Sequence, residues 1–285
     1  MSALAKKPRV AFQGERGAFS EEAAVSLLGE EITLVPCPTF ESLFVAIDDG
    51  IADYALVPVE NTIAGSVHRV YDLLLNSPLE IAGEAVIPVV HNLIGCADTA
   101  FASIEVVESH PVALAQCEKF FAANPQLKRI ATDDTAASVR RVVEGGDPTR
   151  AAVAGSRAAR IYAGSILREH LEDHRENYTR FFLLALAPEV SGQADKVSLV
   201  MRLSHQPGSL HRALGVFARR GINLLKIESR PIQGRPWQYY FYLDLKGSVR
   251  DERIAEALAE LREQTNELRD LGCYQQAQAA AASSS

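Results

Sequence analysis

Polar residues interrupt the apolar pattern of one predicted strand and of one predicted helix. Glu60 and Asn61 follow the apolar run Tyr54–Val59, at the C-terminal end of a predicted strand. Ligands of open α/β sheets bind at that edge, although an Asn-stabilised turn explains the same residues equally well. Gln116 falls inside a predicted helix, Val112–Phe121, where its amide needs a hydrogen-bonding partner or a ligand.

Three further segments combine turn residues with polar ones. Gly14–Ser20 joins a predicted strand to a helix whose N-terminus could hold an anion, but a tight turn with Ser20 as N-cap explains it better on its own. Ser109 ends a strand before Pro111, a pattern that helix capping largely explains. The segment Glu176–Phe182 contains an NxTRF string, which is weak evidence by itself.

In combination and in this order, the segments are specific. They resemble the prephenate dehydratase family, whose hallmarks are a GxxGxFS-type loop, an ENxxxG segment, an SHPxxxxQC segment and a late NxTRF. Gly208–Leu210 and Glu228–Pro231 resemble the two phenylalanine-site motifs of an ACT regulatory domain. The resemblance covers about Pro8 to Tyr274, nearly the whole chain.

The resemblance implies an α/β catalytic region of two lobes, like the type II periplasmic-binding-protein fold, with substrate in the cleft, and then an α+β ferredoxin-like ACT domain. It implies decarboxylating dehydration of prephenate to phenylpyruvate, with neither cofactor nor metal, in phenylalanine biosynthesis. Feedback inhibition by L-phenylalanine and a homo-dimer or tetramer built through the ACT domains are also expected. The predicted parts are a catalytic domain at 8–187, a linker at 188–195, an ACT domain at 196–274 and a disordered tail at 275–285.

The implied reaction sets the roles of the polar residues. Loss of CO₂ and hydroxide makes an aromatic ring, so the enzyme must protonate the departing hydroxyl without over-stabilising the ring carboxylate. Thr179 matches the threonine of the family motif and is expected to donate an oriented hydrogen bond to that hydroxyl. Asn61, Ser109 and Gln116 match the polar pocket residues and are expected to orient ring and hydroxyl.

Other residues are expected to bind the substrate. Arg180 either pairs with a substrate carboxylate or anchors Glu60 and holds the lobes together, and the two roles are weighed evenly. An ionised Glu60 beside Arg180 cannot serve as the general acid, so its part is structural. The further expected contacts are Ala18, Phe19, Ser20, Thr135, Ser156 and Phe181.

Ala18 leaves the substrate open between two related acids. Many family members have Thr or Ser at this place, and plant arogenate dehydratases often have Ala. Prephenate is favoured, and arogenate, which would give phenylalanine directly, is the alternative. A non-catalytic phenylalanine sensor is a second alternative, and the presence of the whole polar set argues against it.

The hydrophobic rhythm predicts how these residues are positioned. Up to about Leu186, β-type runs alternate with helical patterns, which predicts an α/β fold on largely parallel sheets. One long strand over Ala85–Cys96 could cross between two lobes, and a strand near Phe181–Leu186 could return to the first. After the polar linker Pro188–Asp195, the predicted order is β-α-β-β-α-β.

The regulatory ligand is expected at an interface between two copies of the ACT domain. Gly208, Ser209 and Leu210 would offer backbone N–H groups to the phenylalanine carboxylate. The rest of that site would be lined by Asn223, Glu228, Ser229, Arg230 and Pro231.

Composition excludes several classes of protein. The chain has 285 residues and a net charge of −7, which argues against binding nucleic acid. Its 4 cysteines lie far apart, without zinc-ligand or disulfide-framework spacing. His170 and His174 share i, i+4 spacing, but a charged surface explains them better than a metal site. Without a signal peptide or a long apolar run, the chain is expected to be cytoplasmic and not bound to a membrane.

Overall fold

The computed structural model describes residues 7–278. The described residues divide into two compact units, one formed by residues 7–70, 85–181 and 278, the other by 71–84 and 182–277. The division falls within one helix and two strands. The predicted domain boundaries remain a prediction, and of the predicted tail, 279–285 lie outside the described residues.

Up to residue 186 the chain alternates strands and helices, as the hydrophobic pattern predicts. The strands are β1 (Arg9–Gln13), β2 (Thr33–Cys37), β3 (Tyr54–Asn61), β4 (Gly65–Ser66), β5 (Leu79–Pro88), β6 (Asn92–Gly95), β7 (Val106–Ser109), β8 (Lys128–Ala131), β9 (Arg150–Ala154), β10 (Ser165–Arg168) and β11 (Tyr178–Leu186). The helices are α1 (Phe19–Leu28), α2 (Phe40–Asp48), α3 (His68–Leu75), α4 (Pro111–Ala115), α5 (Glu118–Ala123), α6 (Thr135–Gly145) and α7 (Ser156–Tyr162), with a 3₁₀ turn at Phe101–Ser103.

These strands form two sheets, one for each lobe. The first has the order β2–β1–β3–β11–β5, with β4 beside β3 and with β1 parallel to both neighbours. The second has the order β10–β6–β9–β7–β8 and mixes parallel and antiparallel pairs. β5 belongs to the first sheet and β6 to the second, so the chain crosses between lobes after Pro88, and β11 returns it to the first sheet. Both predicted crossings are confirmed.

Two predicted elements are each split in two. The single strand expected over Ala85–Cys96 is interrupted between β5 and β6, because its two halves are buried in different sheets and Pro88 has no N–H to continue the ladder. The single helix expected over Val112–Phe121 stops at Ala115 and restarts at Glu118. A second cap explains the restart, since the Asp173 carboxylate accepts hydrogen bonds from the backbone N–H groups of Glu118 and Lys119 at 2.9 Å.

The C-terminal region has the predicted β-α-β-β-α-β order. Its elements are β12 (Lys196–Arg202), α8 (Ser209–Arg219), β13 (Leu224–Pro231), β14 (Tyr239–Lys246), α9 (Glu252–Gln264) and β15 (Glu267–Tyr274). The antiparallel sheet has the order β13–β14–β12–β15, which is ferredoxin-like. Val197, Leu199 and Met201 alternate along β12 and pack, fully buried, with Phe217 of α8 and Leu261 of α9.

The second unit also contains the end of α3 and the start of β5, which charged side chains hold against the C-terminal sheet. Arg269 of β15 donates to the carbonyl oxygens of Leu74, Leu75, Ser77 and Leu79 around the C-terminus of α3. Carbonyl groups in the last turn of a helix have no N–H partner in a following turn, and the guanidinium group supplies donors to them and to the two carbonyls just beyond the helix.

Two ion pairs complete this contact. The buried Lys196 ammonium lies 3.0 Å from both carboxylate oxygens of Glu84, and Arg230 donates to Asp72 at 2.8 Å. The hydrogen bond to Asp72 raises the pKa of the Arg230 guanidinium, although burial opposes it. We call Lys196–Glu84, Arg230–Asp72 and Arg269 the charged anchor.

Candidate active site

Asn61, at the end of β3, is the centre of a hydrogen-bonded cluster in the first unit. Its Oδ1 accepts the backbone N–H groups of Ile63 (3.0 Å) and Ala64 (2.8 Å), so the side chain folds over its own turn. Its Nδ2 faces the beginning of β11 and donates to Thr179 Oγ1 at 3.0 Å, to the Tyr178 carbonyl at 3.0 Å and to one further side chain. Asn61 therefore stabilises its own turn, as one interpretation of the sequence predicts, and it also contacts Thr179, the candidate proton donor.

That further side chain extends the cluster into the second lobe. Asn177 is fully buried, its Oδ1 accepts from Asn61 Nδ2 at 2.8 Å, and its Nδ2 donates to Gln116 Oε1 at 2.9 Å. Gln116 Oε1 also lies 2.9 Å from Nε2 of the buried His91. We call Asn61, Asn177 and Gln116 the amide chain. It joins Thr179 to His91 across the cleft.

Backbone contacts fix the segment that carries Asn177 and Thr179. Thr62 Oγ1 donates to the Glu176 carbonyl at 2.8 Å and accepts from the Tyr178 N–H at 3.0 Å. The Asp173 N–H donates to the Gln116 carbonyl at 2.7 Å, and the Asp173 carboxylate caps α5. The segment is thus hydrogen-bonded to both lobes, and these bonds to main-chain groups fix the geometry around the amide chain.

Gln116 does not lie inside a helix as predicted. It is the C-terminal cap of α4, in the break between α4 and α5, and only 8% of its surface is exposed. The interruption turns its side chain to Asn177 and His91, which answers the need for a partner that the sequence raised.

Ser109 stands apart from the amide chain. It is fully buried, and its hydroxyl donates to the Val153 carbonyl at 2.6 Å, a contact within the second sheet. Ser109 is not the cap of α4 either, because His110 Nδ1 accepts the Val112 N–H at 3.3 Å and fills that place. His110 is therefore the N-cap of α4.

Arg180 and Glu60 are neighbours, with Arg180 NH1 3.9 Å from Glu60 Oε2. Both belong to the first sheet, on β11 and β3, so the pair joins adjacent strands and not the two lobes. Phe181, expected to touch substrate, is 2% exposed and is a core residue here.

The loop before α1 packs closely on the second lobe. A Cβ atom at Gly17 would lie 2.7 Å from Ala158 Cα of α7, and Gly17 has φ +89°, so glycine is required twice over. Phe19 packs edge-on against the His91 ring at 5.9 Å between centroids. Ala18 is buried in a cluster with Ala158 and Val139, and it supplies no hydroxyl to the cleft.

The sequence analysis missed the charged group that secures this loop. Glu21 of α1 is fully buried and accepts hydrogen bonds from Arg16 (2.9 Å), the Gly17 N–H (2.8 Å) and Arg157 of α7 (2.9 Å). Burial favours the neutral acid, but these donors outweigh it and lower the pKa of the Glu21 carboxyl. A polar residue in the first turn of a helix beside a GxxG loop was the available signal.

The remaining predicted contacts flank two helix starts. Thr135 and Ser156 are the first residues of α6 and α7. The N-cap of α6 is Asp134, whose carboxylate accepts the Ala137 N–H at 2.8 Å, so this terminus already holds an anionic group. Ser20 is buried in the first turn of α1, and the N-cap is Ala18.

Cys117, which follows Gln116 in the chain, is fully buried. Burial raises the pKa of the Cys117 thiol, with smaller contributions from Asp173, Glu172 and Glu118, so the thiol stays protonated and is a poor nucleophile. Among residues 7–278, no group of His, Cys, Asp and Glu is arranged to hold a metal. His170 contacts Glu172 in an irregular segment, and no described helix is long and apolar enough to span a bilayer.

In the second unit, the segment Gly208–Leu210, which resembles the first phenylalanine-site motif, borders a cavity of about 140 Å³. Ser209 and Leu210 line it together with Trp237 and Phe241. Within the described chain, Glu228–Pro231, the segment that resembles the second motif, does not line this cavity, because the Arg230 side chain donates a hydrogen bond to Asp72. Asn223 and Ser229 are exposed.

Comparison with known proteins places these features in a family. The profile of the prephenate dehydratase family matches residues 10–189, and that of the ACT domain matches 197–263. A bifunctional chorismate mutase/prephenate dehydratase of Aquifex aeolicus is 39% identical over 275 residues, which cover 96% of this chain and 75% of that protein. Arogenate dehydratase/prephenate dehydratase 1 of Arabidopsis thaliana is 41% identical over 284 residues, covering 94% and 72%.

Two solved structures are similar over nearly the full chain. Prephenate dehydratase from Arthrobacter aurescens in complex with L-Phe has a TM-score of 0.87 at 31% identity, covering 96% of this chain and 92% of that one. GqqA, described as a novel type of quorum quenching acylase, has a TM-score of 0.86 at 33% identity, covering 94% and 97%. This chain belongs to the prephenate dehydratase family and carries an ACT domain, and the predicted fold class is confirmed.

Proposed function

We propose that this chain is an enzyme that converts prephenate to phenylpyruvate, CO₂ and water in phenylalanine biosynthesis, and that L-phenylalanine inhibits it. The observation that carries the proposal is the hydrogen bond from Asn61 Nδ2 to Thr179 Oγ1. It occupies a lone pair of the hydroxyl oxygen and leaves the hydroxyl hydrogen for an acceptor outside this pair.

Thr179 then acts as the donor to the departing hydroxyl of the substrate. As the C–O bond breaks, negative charge grows on that oxygen and strengthens the hydrogen bond, which is the differential effect that catalysis requires. The hydrogen bond that Thr179 accepts from Asn61 polarises its O–H and makes it a better donor. Breaking the C–C bond to the ring carboxylate supplies the electron pair that makes the ring aromatic.

The neutral side chains of Asn61 and Gln116 suit the other half of the reaction. A strong cation beside the ring carboxylate would stabilise the ground state and slow the loss of CO₂. We propose that Asn61 and Gln116 orient the ring and its hydroxyl, whereas the buried Ser109, whose hydroxyl donates to the Val153 carbonyl, supports the second sheet. Arg180 serves the side-chain carboxylate or holds Glu60, and its approach to Glu60 supports the second role.

Arogenate is the alternative substrate, and Ala18 is the reason. Arogenate carries an amino group in place of the side-chain keto oxygen of prephenate, and relatives named for both substrates are about equally similar to this chain. The buried Ala18 offers neither of them a hydrogen bond. Acyl transfer, the activity attached to GqqA, would need an activated nucleophile, and the protonated Cys117 is not one.

For regulation, we propose that phenylalanine binds next to Gly208–Leu210 at the cavity lined by Trp237 and Phe241. The second motif would come from another copy of the chain, because Arg230 is committed to Asp72 in its own. This arrangement requires a homo-dimer or tetramer through the ACT domains. A cytoplasmic location is likewise proposed, from composition alone.

The deciding experiment is turnover of prephenate and of arogenate by the same preparation, each with and without phenylalanine. Phenylpyruvate from prephenate, suppressed by phenylalanine, is the expected result. Preference for arogenate would change the substrate and direct attention to Ala18. If neither acid is consumed while phenylalanine still binds, the chain is a sensor and the catalytic proposal is wrong.

A further inference from the structure

The backbone decides how the amide chain is oriented, starting at Asn61. Two main-chain N–H groups, of Ile63 and Ala64, point at one end of its side chain, and only an oxygen can accept them. The other end points at the Tyr178 carbonyl at 3.0 Å, which only an N–H can satisfy. The amide of Asn61 therefore has one allowed orientation, with Nδ2 toward Thr179.

The orientation of Asn61 determines the orientation of each following amide in the amide chain. Since Asn61 Nδ2 is a donor, Asn177 must present Oδ1 to it and Nδ2 to Gln116. Gln116 must then present Oε1 to Asn177, and the same oxygen faces His91 Nε2 at 2.9 Å. An oxygen that only accepts requires a ring nitrogen that carries hydrogen.

We propose that His91 is a positioning residue of the catalytic site, held as the neutral tautomer with hydrogen on Nε2, and that it fixes the Gln116 amide on which the orientation of the substrate depends. The proposal rests on the proposed function for its effect on the reaction, but the tautomer follows from the hydrogen bonds alone.

The surroundings of His91 support a ring that stays neutral. The residue is 2% exposed, and its Nδ1 is buried without a hydrogen-bond partner among the described atoms, as an unprotonated nitrogen can be. Burial lowers the pKa of the imidazole against the smaller opposing effects of Gln116 and Glu172. Glu172 Oε2 is occupied by the His91 backbone N–H at 2.8 Å, and the ring of Phe19 packs edge-on.

The consequence lies at the other end of the Gln116 side chain. With Oε1 bound by both His91 and Asn177, the amide cannot flip, and its Nε2 hydrogens have no partner among residues 7–278. This NH₂ group is then a fixed donor for the substrate. Without His91, Oε1 keeps only one of its two donors, and the amide gains freedom to turn.

The first test determines the tautomer of the His91 ring and does not depend on whether the protein turns over a substrate. Ring ¹⁵N shifts of the histidine-labelled full-length protein, assigned with His91→Gln, should show hydrogen on Nε2 and none on Nδ1 across pH 6–8. The exposed His170 serves as the internal reference for the ring ¹⁵N signals. Hydrogen on Nδ1, or a tautomer mixture, would overturn the proposal.

The second test separates positioning from folding. His91→Leu should lower kcat by about 10- to 100-fold, because misplacement of a positioned group costs up to about 10² in rate. His91→Gln, which restores an N–H donor near the position of Nε2, should recover most of the loss. In a Gln116→Met background, His91→Leu should have little further effect, because its action runs through Gln116.

Equal losses in His91→Leu and His91→Gln, or full additivity with Gln116→Met, would show that His91 only fills space. Failure of the proposed function and failure of the His91 proposal can be told apart. Wild-type protein that does not consume prephenate or arogenate refutes the proposed function, whereas the ¹⁵N result stands or falls independently.

Discussion

The amide chain and the charged anchor solve the same problem, that of joining distant segments through buried polar groups, with opposite chemistry. The amide chain uses neutral Asn61, Asn177 and Gln116, each at about 3 Å from the next. The charged anchor uses full charges, including the Lys196–Glu84 pair, whose side chains are 6% and 1% exposed.

The difference follows from what each region has to do. A neutral chain transmits orientation without placing a field on a substrate whose own carboxylate must depart. A buried ion pair is costly to desolvate, but it has large consequences when broken, so it ties segments together with high specificity. We therefore expect substitutions in the anchor to change stability, and substitutions in the amide chain to change rate.

The largest effect is expected from Lys196→Met. It leaves the Glu84 carboxylate buried without its ammonium partner and should lower the free energy of unfolding by about 3–5 kcal/mol. Chemical denaturation measures this. Adding Glu84→Gln should recover much of the loss, since the amide oxygen can still accept the Ala277 N–H.

The control for this pair is an ion pair of the same kind at the surface. Arg262 and Asp270 are 2.7 Å apart and about half exposed, so Arg262→Met should cost at most about 1 kcal/mol. If both variants lost the same stability, burial would not be what gives the anchor its strength.

The next effect is on rate. Thr179→Ala should lower kcat by about 10²–10³-fold, because it removes the donor to the departing hydroxyl, while the free energy of unfolding changes little. Thr179→Ser keeps a hydroxyl beside Asn61 and should keep most of the activity. Thr33→Ala, an exposed threonine of the edge strand β2, is the matched control and should behave as wild type. Steady-state kinetics at saturating substrate measure kcat. If Thr179→Ala kept its activity, another group would have to be the donor to the departing hydroxyl.

Arg269→Lys should have a smaller effect, on stability. The planar guanidinium reaches the carbonyls of Leu74, Leu75, Ser77 and Leu79, and a lysine ammonium cannot reproduce that fork. Carbonyls left without a donor should lower the free energy of unfolding by about 1–3 kcal/mol. The rate at saturating substrate should stay near wild type in the folded variant, and a selective loss of rate would erase the contrast between the two regions.

Local pattern was enough to predict much of this. The alternation of strands and helices up to residue 186 and the β-α-β-β-α-β order after it match the prediction, because polar or turn residues separate the apolar runs. Ala85–Cys96 failed as one strand, since an apolar run looks the same whether one sheet or two bury it.

Some residues of the candidate active site were predicted from the sequence, and others were not. Asn61, Gln116 and Thr179 are brought together as the family resemblance led us to expect. His91 and the link through Asn177 could not be foreseen, because contacts across 25 and 61 residues are set by the fold and leave no local pattern. The substrate contacts of the site residues remain a prediction.

The smallest effect tests a fully buried charged group of the catalytic region, Glu21. Its folded pKa lies below the ordinary value of 4.5, so it stabilises the fold above that pH and loses this contribution as pH falls through the folded pKa. Glu21→Gln should cost about 1–2 kcal/mol at pH 7, and the difference from wild type should shrink as the pH is lowered below about 4.5.

The neighbour of Glu21 is a control of opposite sign. Burial raises the pKa of the Glu22 carboxyl, so its ionisation opposes folding, and Glu22→Gln should be neutral or stabilising at pH 7 and lose that advantage in acid. Thermal unfolding of both variants from pH 3.5 to 7 gives the two curves. If they ran in the same direction, hydrogen bonds from Arg16 and Arg157 would not be what holds Glu21 ionised, and the loop before α1 would depend on packing at Gly17 alone.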